Sequence, residues 1–310
     1  MRALICGSLA YDTIMVFEDR FKHHILPEQV HILNVSFLVP ALRREFGGCA
    51  GNIAYNLGLL GHEALPMATV GKDFDAYARW MDACGIRRDY VRVLEDSYTA
   101  QAYITTDLDD NQITAFHPGA MSFSHLNEVP HGAELGIGIV APDGKEGMTT
   151  HCAQFAEAGI PFIFDPGQGM PLFNGEELLE CVGLADWVTL NDYEAQLMQE
   201  RTGLGPAQLA ERVEALIVTK GAEGSLVYAD GGQIHIPAAA PQSVLDPTGC
   251  GDAYRAGLLY GLLEGLDWQT TGRIASLLGA IKIEHHGTQN HTFEPDAFRD
   301  RFFHAFGYRF

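Results

Sequence analysis

The chain has 310 residues and carries 40 acidic side chains against 20 Lys and Arg, a formal charge of −20 with histidine neutral. Proteins that hold nucleic acid cluster basic residues against phosphates, and basic runs here reach only pairs such as Arg87-Arg88, which excludes a dedicated DNA or RNA partner. Hydrophobic residues at 47% and charged residues at 19% exclude a disordered tail and a coiled coil. No apolar run approaches the roughly 20 residues that span a bilayer, and Met1 to Gly7 lacks signal-peptide character, so a cytoplasmic protein with no membrane partner is expected. The six cysteines are scattered singly and are expected as reduced thiols.

The first predicted element is a short buried strand from Ala3 to Cys6, ended by Gly7-Ser8 and followed by a second apolar stretch from Thr13 to Phe17. Residues 18–46 read as irregular, with a β-branched run from Val30 to Val35. Residues 100–116 alternate like two strands joined at Asp109-Asp110-Asn111. These two stretches are expected to pair into a small second sheet. From Ala64 onward strands and helices alternate: strand Ala64 to Val70, helix Asp73 to Cys84, strand Gly138 to Ala141, helix Gly147 to Ala158, strand Phe162 to Phe164. Helix Glu176 to Val182, strand Trp187 to Leu190, helix Asp192 to Arg201 and strand Leu216 to Thr219 continue the pattern. Such alternation implies a mainly parallel sheet covered on both faces, with the site at the carboxyl ends of its strands.

The strongest local feature is Asp246-Pro247-Thr248-Gly249-Cys250-Gly251-Asp252, followed by Ala253-Tyr254-Arg255-Ala256-Gly257. Its glycines allow a tight turn that brings backbone N–H groups to a helix start, where the helix dipole favours a phosphate. Asp252 at such a cradle either caps the helix or takes a proton from an attacking hydroxyl. Ala253, Ala256, Gly257 and Gly261 share a side that permits close packing against the sheet. A second cluster, Gly47-Gly48-Cys49-Ala50-Gly51-Asn52, also opens a helix; it is a tight loop or a place where a backbone approaches a ligand, with Asn52 able to meet sugar hydroxyls. Asp12 is a solvated turn carboxylate or an acceptor for two hydroxyls.

The two glycine clusters carry a resemblance to the ribokinase-like (PfkB) family of carbohydrate and nucleoside kinases over essentially the whole chain. Gly47-Gly48, Asn52, Ala54, Gly61 and Gly71 match the first family pattern and Asp246 to Leu259 the second. The resemblance implies one ribokinase-like domain over residues 1–310. It is a doubly wound, mainly parallel α/β sheet with helices on both faces and a small β-sheet lid from segments near 12–46 and 98–118. It also implies ATP and Mg2+: Asn191 and Glu194 match an Asn-x-x-Glu that orders magnesium through water, and Thr219, Lys220, Gly221 and Gly224 resemble the segment that meets nucleotide phosphates, where Lys220 is equally readable as a surface lysine. Asp252 becomes the base, the amides of Gly249, Cys250 and Gly251 the anion hole, and Asp12, Gly47, Gly48 and Asn52 the sugar site. Cys250 departs from the family's small Ser, Ala or Gly and is a candidate reactive thiol. A K+ site from Asp246, Thr248 and Gly287 is allowed by the same analogy.

Within the family the chain most resembles bacterial adenosine kinase members. A sugar-phosphate acceptor would want more basic residues than Arg43-Arg44 near the first cluster. The lid segments are rich in aromatics and Met that either stack on a base or form the lid's own core or a homodimer seam; Phe116 is the stacking candidate. The expected reaction is ATP-dependent phosphorylation of a nucleoside, adenosine first, at its 5′-hydroxyl, with a ribokinase- or fructokinase-type sugar kinase and a non-catalytic sugar or nucleoside sensor as alternatives.

Overall fold

The computed structural model describes residues 1–25, 34–109, 111–131 and 134–310. In chain order the strands are β1 (Arg2–Cys6), β2 (Ala10–Val16), β3 (Ala41–Gly47), β4 (Ala64–Gly71), β5 (Tyr90–Leu94), β6 (Ala100–Thr106), β7 (Gln112–His117), β8 (Leu135–Val140), β9 (Phe162–Phe164), β10 (Trp187–Asn191), β11 (Ala215–Thr219), β12 (Ser225–Ala229) and β13 (Gly232–Ile236). The helices are α1 (Cys49–Leu59), α2 (Asp75–Ala83), α3 (Lys145–Ala158), α4 (Gly175–Leu184), α5 (Asp192–Thr202), α6 (Pro206–Ala210), α7 (Cys250–Leu263), α8 (Trp268–Ile283) and α9 (Pro295–Phe306). Among the described residues, no helix is long and apolar enough to cross a membrane.

Nine strands form one sheet in the order β13-β12-β11-β10-β9-β8-β1-β4-β5, parallel except for the antiparallel β11-β12-β13 edge. The period-2 alternation of a strand feeds two cores at once: in β1, Ala3 and Ile5 enter the core built with α1, α7 and α8, while Leu4 and Cys6 enter the one built with α3, α4 and α5. This is why the central strands read as unbroken apolar runs; all eight residues of β4 are buried. Strand order reverses between β1 and β8, so a crevice opens beyond the carboxyl ends of those two strands.

The second sheet has the order β3-β2-β6-β7, with β2 and β6 parallel and the outer pairs antiparallel. The expected pairing of the two lid stretches is corrected here. The apolar stretch after the first strand becomes β2 and lies between them, because Gly7 to Leu9 lets the chain leave the large sheet. The strand contributed by residues 18–46 is β3, whose exposed Arg43 and Arg44 and half-buried Glu45 hide its strand character. Val30, His31, Ile32 and Leu33 of the β-branched run and Asp110 of the expected turn lie outside the described residues, as do the other positions of 26–33 within the expected lid segment.

The small residues of α7 serve a different contact from the one expected. Gly257 and Gly261 face α8, not the sheet: a Cβ on Gly257 would lie 2.7 Å from the backbone nitrogen of Ala275, and one on Gly261 would strike Thr271. The two helices therefore touch nearly backbone to backbone, which fixes the axis of α7 and the direction of its N-terminus. Gly257→Val should cost about 1–3 kcal/mol by overpacking this contact, seen as a lowered melting temperature, whereas Gly265→Ala in open surroundings should be governed by its positive φ alone.

Candidate active site

The N-terminus of α7 lies at the crevice. Gly249 is its N-cap with φ of 79°, a left-handed conformation that favours glycine, and Cys250, Gly251 and Asp252 make the first turn. The Thr248 amide donates to Asp246 Oδ1 at 2.9 Å and the Cys250 amide to the Pro247 carbonyl at 3.2 Å. Of the expected trio of amides, those of Gly249 and Gly251 remain without a protein partner among the described hydrogen bonds, so the positive helix end is presented by two groups and Cys250 supports the turn instead. Burial pushes its thiol up to about 11, with Asp246 and Asp252 adding to the effect against Lys282, which disfavours the thiolate.

Asp252 Oδ2 accepts a 2.8 Å hydrogen bond from Asn52 Nδ2 in α1. Burial pushes its carboxyl up to about 6; Asn52, Arg255 and Cys49 pull it down and Asp165 pushes it up. It is ionised at neutral pH and able to take a proton. Beneath it stands a charge cluster that the sequence reading passed over. Buried Arg255, one turn along α7, meets Asp165 after β9 through two bonds of 2.9 and 3.0 Å and lies 3.8 Å from Glu194. The available signal was an arginine within the apolar run Ala253 to Leu259, a placement that demands a buried carboxylate partner.

On one side of Asp252 lie Asp12, Gly47, Gly48 and Asn52. The Gly48 backbone has φ of 87° and is so close to the segment joining β1 to β2 that a Cβ would lie 2.5 Å from the Ser8 carbonyl and 2.7 Å from the Ala10 nitrogen. Ser8 in turn accepts the Ala50 amide through its carbonyl at 3.0 Å and the Cys49 amide through its hydroxyl at 3.2 Å, which seats α1 on the end of β1. Gly47 leaves room for the Asp12 carboxylate: a Cβ there would lie 2.5 Å from Asp12 Oδ2 and would push it aside. The Asp12 carboxyl is pushed up to about 6 by burial, with Glu45 and Asp246 adding to the shift.

On the other side, Asn191 at the end of β10 stands beside Thr219 at the end of β11. Asn191 is the N-cap of α5 in a reciprocal box: its Oδ1 accepts the Glu194 amide and Glu194 Oε2 accepts the Asn191 amide, both at 2.7 Å. One oxygen of each side chain is thereby fixed, and Glu194 Oε1 is left for another partner. Lys220 follows β11, and its amide closes a turn on the Gly224 carbonyl at 2.8 Å. Gly221 and Gly224 have φ of 55° and 88°, and a Cβ at Gly224 would lie 2.9 Å from the Ala238 nitrogen.

The residues of the expected K+ site are engaged among themselves. Asp246 receives the Thr248 amide on Oδ1 and the Gly287 amide on Oδ2, each at 2.9 Å. Its carbonyl receives Nζ of Lys282 at 2.7 Å, and the same ammonium reaches the His285 carbonyl at 3.2 Å. Lys282 is 0% exposed. A monovalent cation on the Asp246 carbonyl would meet that amine, so this one of the expected ligands is already taken. Phe116 is 52% exposed on edge strand β7, two strands from β2.

Comparison with known proteins accords with this geometry. Residues 12–295 match the family described as pfkB family carbohydrate kinase. The chain belongs to that family. Its structure superposes with a TM-score of 0.90 on the nucleoside kinase of Burkholderia thailandensis in complex with inosine, at 54% identity and with 99% of each chain covered. The nucleoside kinase of Methanocaldococcus jannaschii is 33% identical over 259 residues, 83% of this chain and 85% of that protein. A fructokinase of Escherichia coli is 31% identical over 237 residues, 70% of this chain and 76% of that protein. The architecture is the ribokinase-like α/β fold, and the chain is a kinase of the pfkB family.

The capping box at the head of α5 makes a stability prediction separate from catalysis. Asn191→Ala removes the oxygen that receives the Glu194 amide and should cost about 1 kcal/mol, read by denaturant melts. Glu194→Gln keeps an oxygen for the Asn191 amide and should cost less.

Proposed function

We propose that this pfkB-family kinase transfers the γ-phosphoryl group of ATP to the 5′-hydroxyl of a purine nucleoside, adenosine and inosine being the acceptors of choice. The observation that carries the reading is the carboxylate of Asp252, held by Asn52, beside the free amides of Gly249 and Gly251, between a glycine-lined acceptor side and a nucleotide side. Asp252 takes the 5′-hydroxyl proton while that oxygen forms its bond to the γ-phosphorus; the bond from that phosphorus to the bridging oxygen breaks and its electron pair leaves with ADP. The Gly249 and Gly251 amides face the charge that develops on the transferred group. ATP lies along Asn191, Thr219, Lys220, Gly221 and Gly224, where Lys220 adds positive charge. Magnesium brought with ATP would offset charge between the phosphates, and Glu194 with Asn191 would order its water shell.

The nucleoside preference rests on a row of side chains across the small sheet. Glu45, Asp12, Ala102 and Phe116 are successive cross-strand partners, so all four share one face. Asp12 and Phe116 are two strands apart, about 10 Å, and the small Ala102 between them leaves room for a flat base. Ribose hydroxyls at Asp12 and Asn52 would place the base over Ala102 against Phe116, with the small sheet acting as the lid that excludes water. The inosine complex of the Burkholderia relative supports the acceptor class.

Asp252→Asn should lower turnover by roughly two or more orders of magnitude with ATP affinity retained. In the parent enzyme kcat/KM should fall about tenfold per pH unit below about 6, since the base must be ionised. A coupled assay with adenosine, inosine, ribose and fructose tests the acceptor. Phe116→Ala should raise KM for nucleosides and leave ribose unaffected; fructose or ribose as the better substrate would replace the reading with a sugar kinase, and no turnover of any acceptor would leave a sensor. Because Lys282 holds the Asp246 carbonyl, exchanging Na+ for K+ should leave the rate unchanged; a K+ requirement would show that the amine moves aside.

A further inference from the structure

Asn52 can offer Asp252 either end of its amide, since oxygen and NH2 are nearly equal in shape and opposite in hydrogen-bonding sense. An NH2 group turned toward the carboxylate stabilises it, and an oxygen turned toward it repels it. What decides the orientation lies one and two residues further from the site. Asn52 Oδ1 accepts Nε2 of Gln289 at 3.0 Å, and that same Nε2 donates to the Tyr77 hydroxyl at 2.8 Å. Gln289 Oε1 accepts Nε1–H of Trp80 at 2.8 Å.

Two anchors fix Gln289 independently. The Trp80 indole is a donor only, so it has to face the oxygen of Gln289 and leaves the NH2 for Asn52. The Tyr77 hydroxyl gives its proton to the Gly47 carbonyl at 2.8 Å, a group that only accepts, so its oxygen has to receive Gln289 Nε2. Both anchors demand the same rotamer of one amide, and that rotamer leaves Asn52 only one way round. Gln289 is 2% exposed, so water does not relax the demand. Gly51 makes the room: a Cβ there would strike the Tyr77 hydroxyl and lie 3.0 Å from Gln289 Nε2. Trp80 is itself held by a stacked Phe46 ring at 5.5 Å.

We propose that Gln289, oriented by Trp80 and Tyr77, is a positioning residue that turns the Asn52 amide so that an N–H faces the carboxylate of Asp252. The consequence for turnover rests on the reading of Asp252 as the base; the orientation itself does not. Other groups acting on Asp252 are Arg255 and Cys250 of its own helix, Asp165 after β9, Cys49 of α1, Tyr77 of α2 and Lys282 of α8. Replacing Gln289 leaves each of these side chains in place; of them only Tyr77 bonds to Gln289, and it loses the hydrogen bond it accepts from Nε2 while keeping its own to the Gly47 carbonyl.

The test follows the Asp252 carboxyl carbon by 13C NMR against pH in the full-length free enzyme. Gln289→Met preserves length and removes both polar ends; the Asp252 midpoint should rise by about one pH unit, because the Asn52 amide is then free to turn its oxygen inward. The acid limb of kcat/KM should move with it while KM for ATP stays put. Should Gln289→Met fail to fold, the double change Trp80→Phe with Tyr77→Phe keeps both rings and releases both anchors, and the same rise is expected. A folded variant with an unmoved Asp252 midpoint overturns the proposal. Full turnover in Asp252→Asn would instead overturn the assignment of the base, and the carboxyl titration would still report on the amide.

Discussion

One hydrogen bond, from Asn52 Nδ2 to Asp252 Oδ2 at 2.8 Å, joins two helices whose first turns are 200 residues apart in the chain. Much of the architecture serves to let that bond form. Helix α1 is brought in by Ser8, at the end of β1, which takes two of its first amides; helix α7 is aimed by its backbone contact with α8 through Gly257 and Gly261. Both helix starts arrive at the point where strand order reverses between β1 and β8, so an acceptor held by one faces the anion cradle of the other. The glycines at 48 and 249 permit these approaches because no side chain could occupy their left-handed conformations at such distances without strain.

Gathering ionisable groups under a sheet carries a desolvation cost, and the site meets it by pairing. Arg255 sits between Asp165 and Glu194, with two bonds to the first, and Lys282 is satisfied by backbone carbonyls at Asp246 and His285. Asp252 and Asp12 are treated differently: each is pushed up to about 6 by burial, and neither has an ion pair within its own contacts. A third carboxyl, Asp143, is pushed up to about 8 by burial, so a raised carboxyl does not by itself mark the site. The acids paired with Arg255 hold the scaffold around Asp252.

Much of the large sheet was legible because burial on both faces writes itself as short apolar runs between amphipathic helices; β4, β9 and β10 lie within a residue of expectation. The small sheet was harder. β3 carries exposed Arg43 and Arg44 followed by half-buried Glu45, so nothing in its composition separates it from a loop, and its pairing with β2 depends on where the chain turns at Gly7 to Leu9. At the site, glycine clusters and Asp252 announce themselves because local backbone geometry demands them. Gln289, Asp165 and Lys282 do not: their roles arise from contacts made across the fold, and a single Gln, Asp or Lys in sequence carries no mark of what it will meet. Arg255 is the exception, since a cation inside an apolar helix has to be answered.

The sequence left Asp252 open between helix cap and proton acceptor, and comparison with the other helix starts shows that it makes no reciprocal cap. Three acidic residues occupy the third position of a helix: Glu177 in α4, Glu194 in α5 and Asp252 in α7. Glu177 and Glu194 turn back to the amides of Asn174 and Asn191 at 2.8 and 2.7 Å, completing reciprocal caps. Asp252 does not turn back. Its cap position is Gly249, which has no side chain to reciprocate, and its carboxylate is drawn sideways to Asn52, leaving the Gly249 amide without a protein partner among the described hydrogen bonds. Lack of a side-chain cap alone means little, because α2, α3 and α9 also start without one. The difference in α7 is that an acid suited to capping is held away from the amides it would otherwise satisfy. Leaving such a cap unmade forgoes about 1 kcal/mol, and a helix start so arranged leaves its positive end unanswered by the protein beside a buried carboxylate, the arrangement on which the proposed reaction rests.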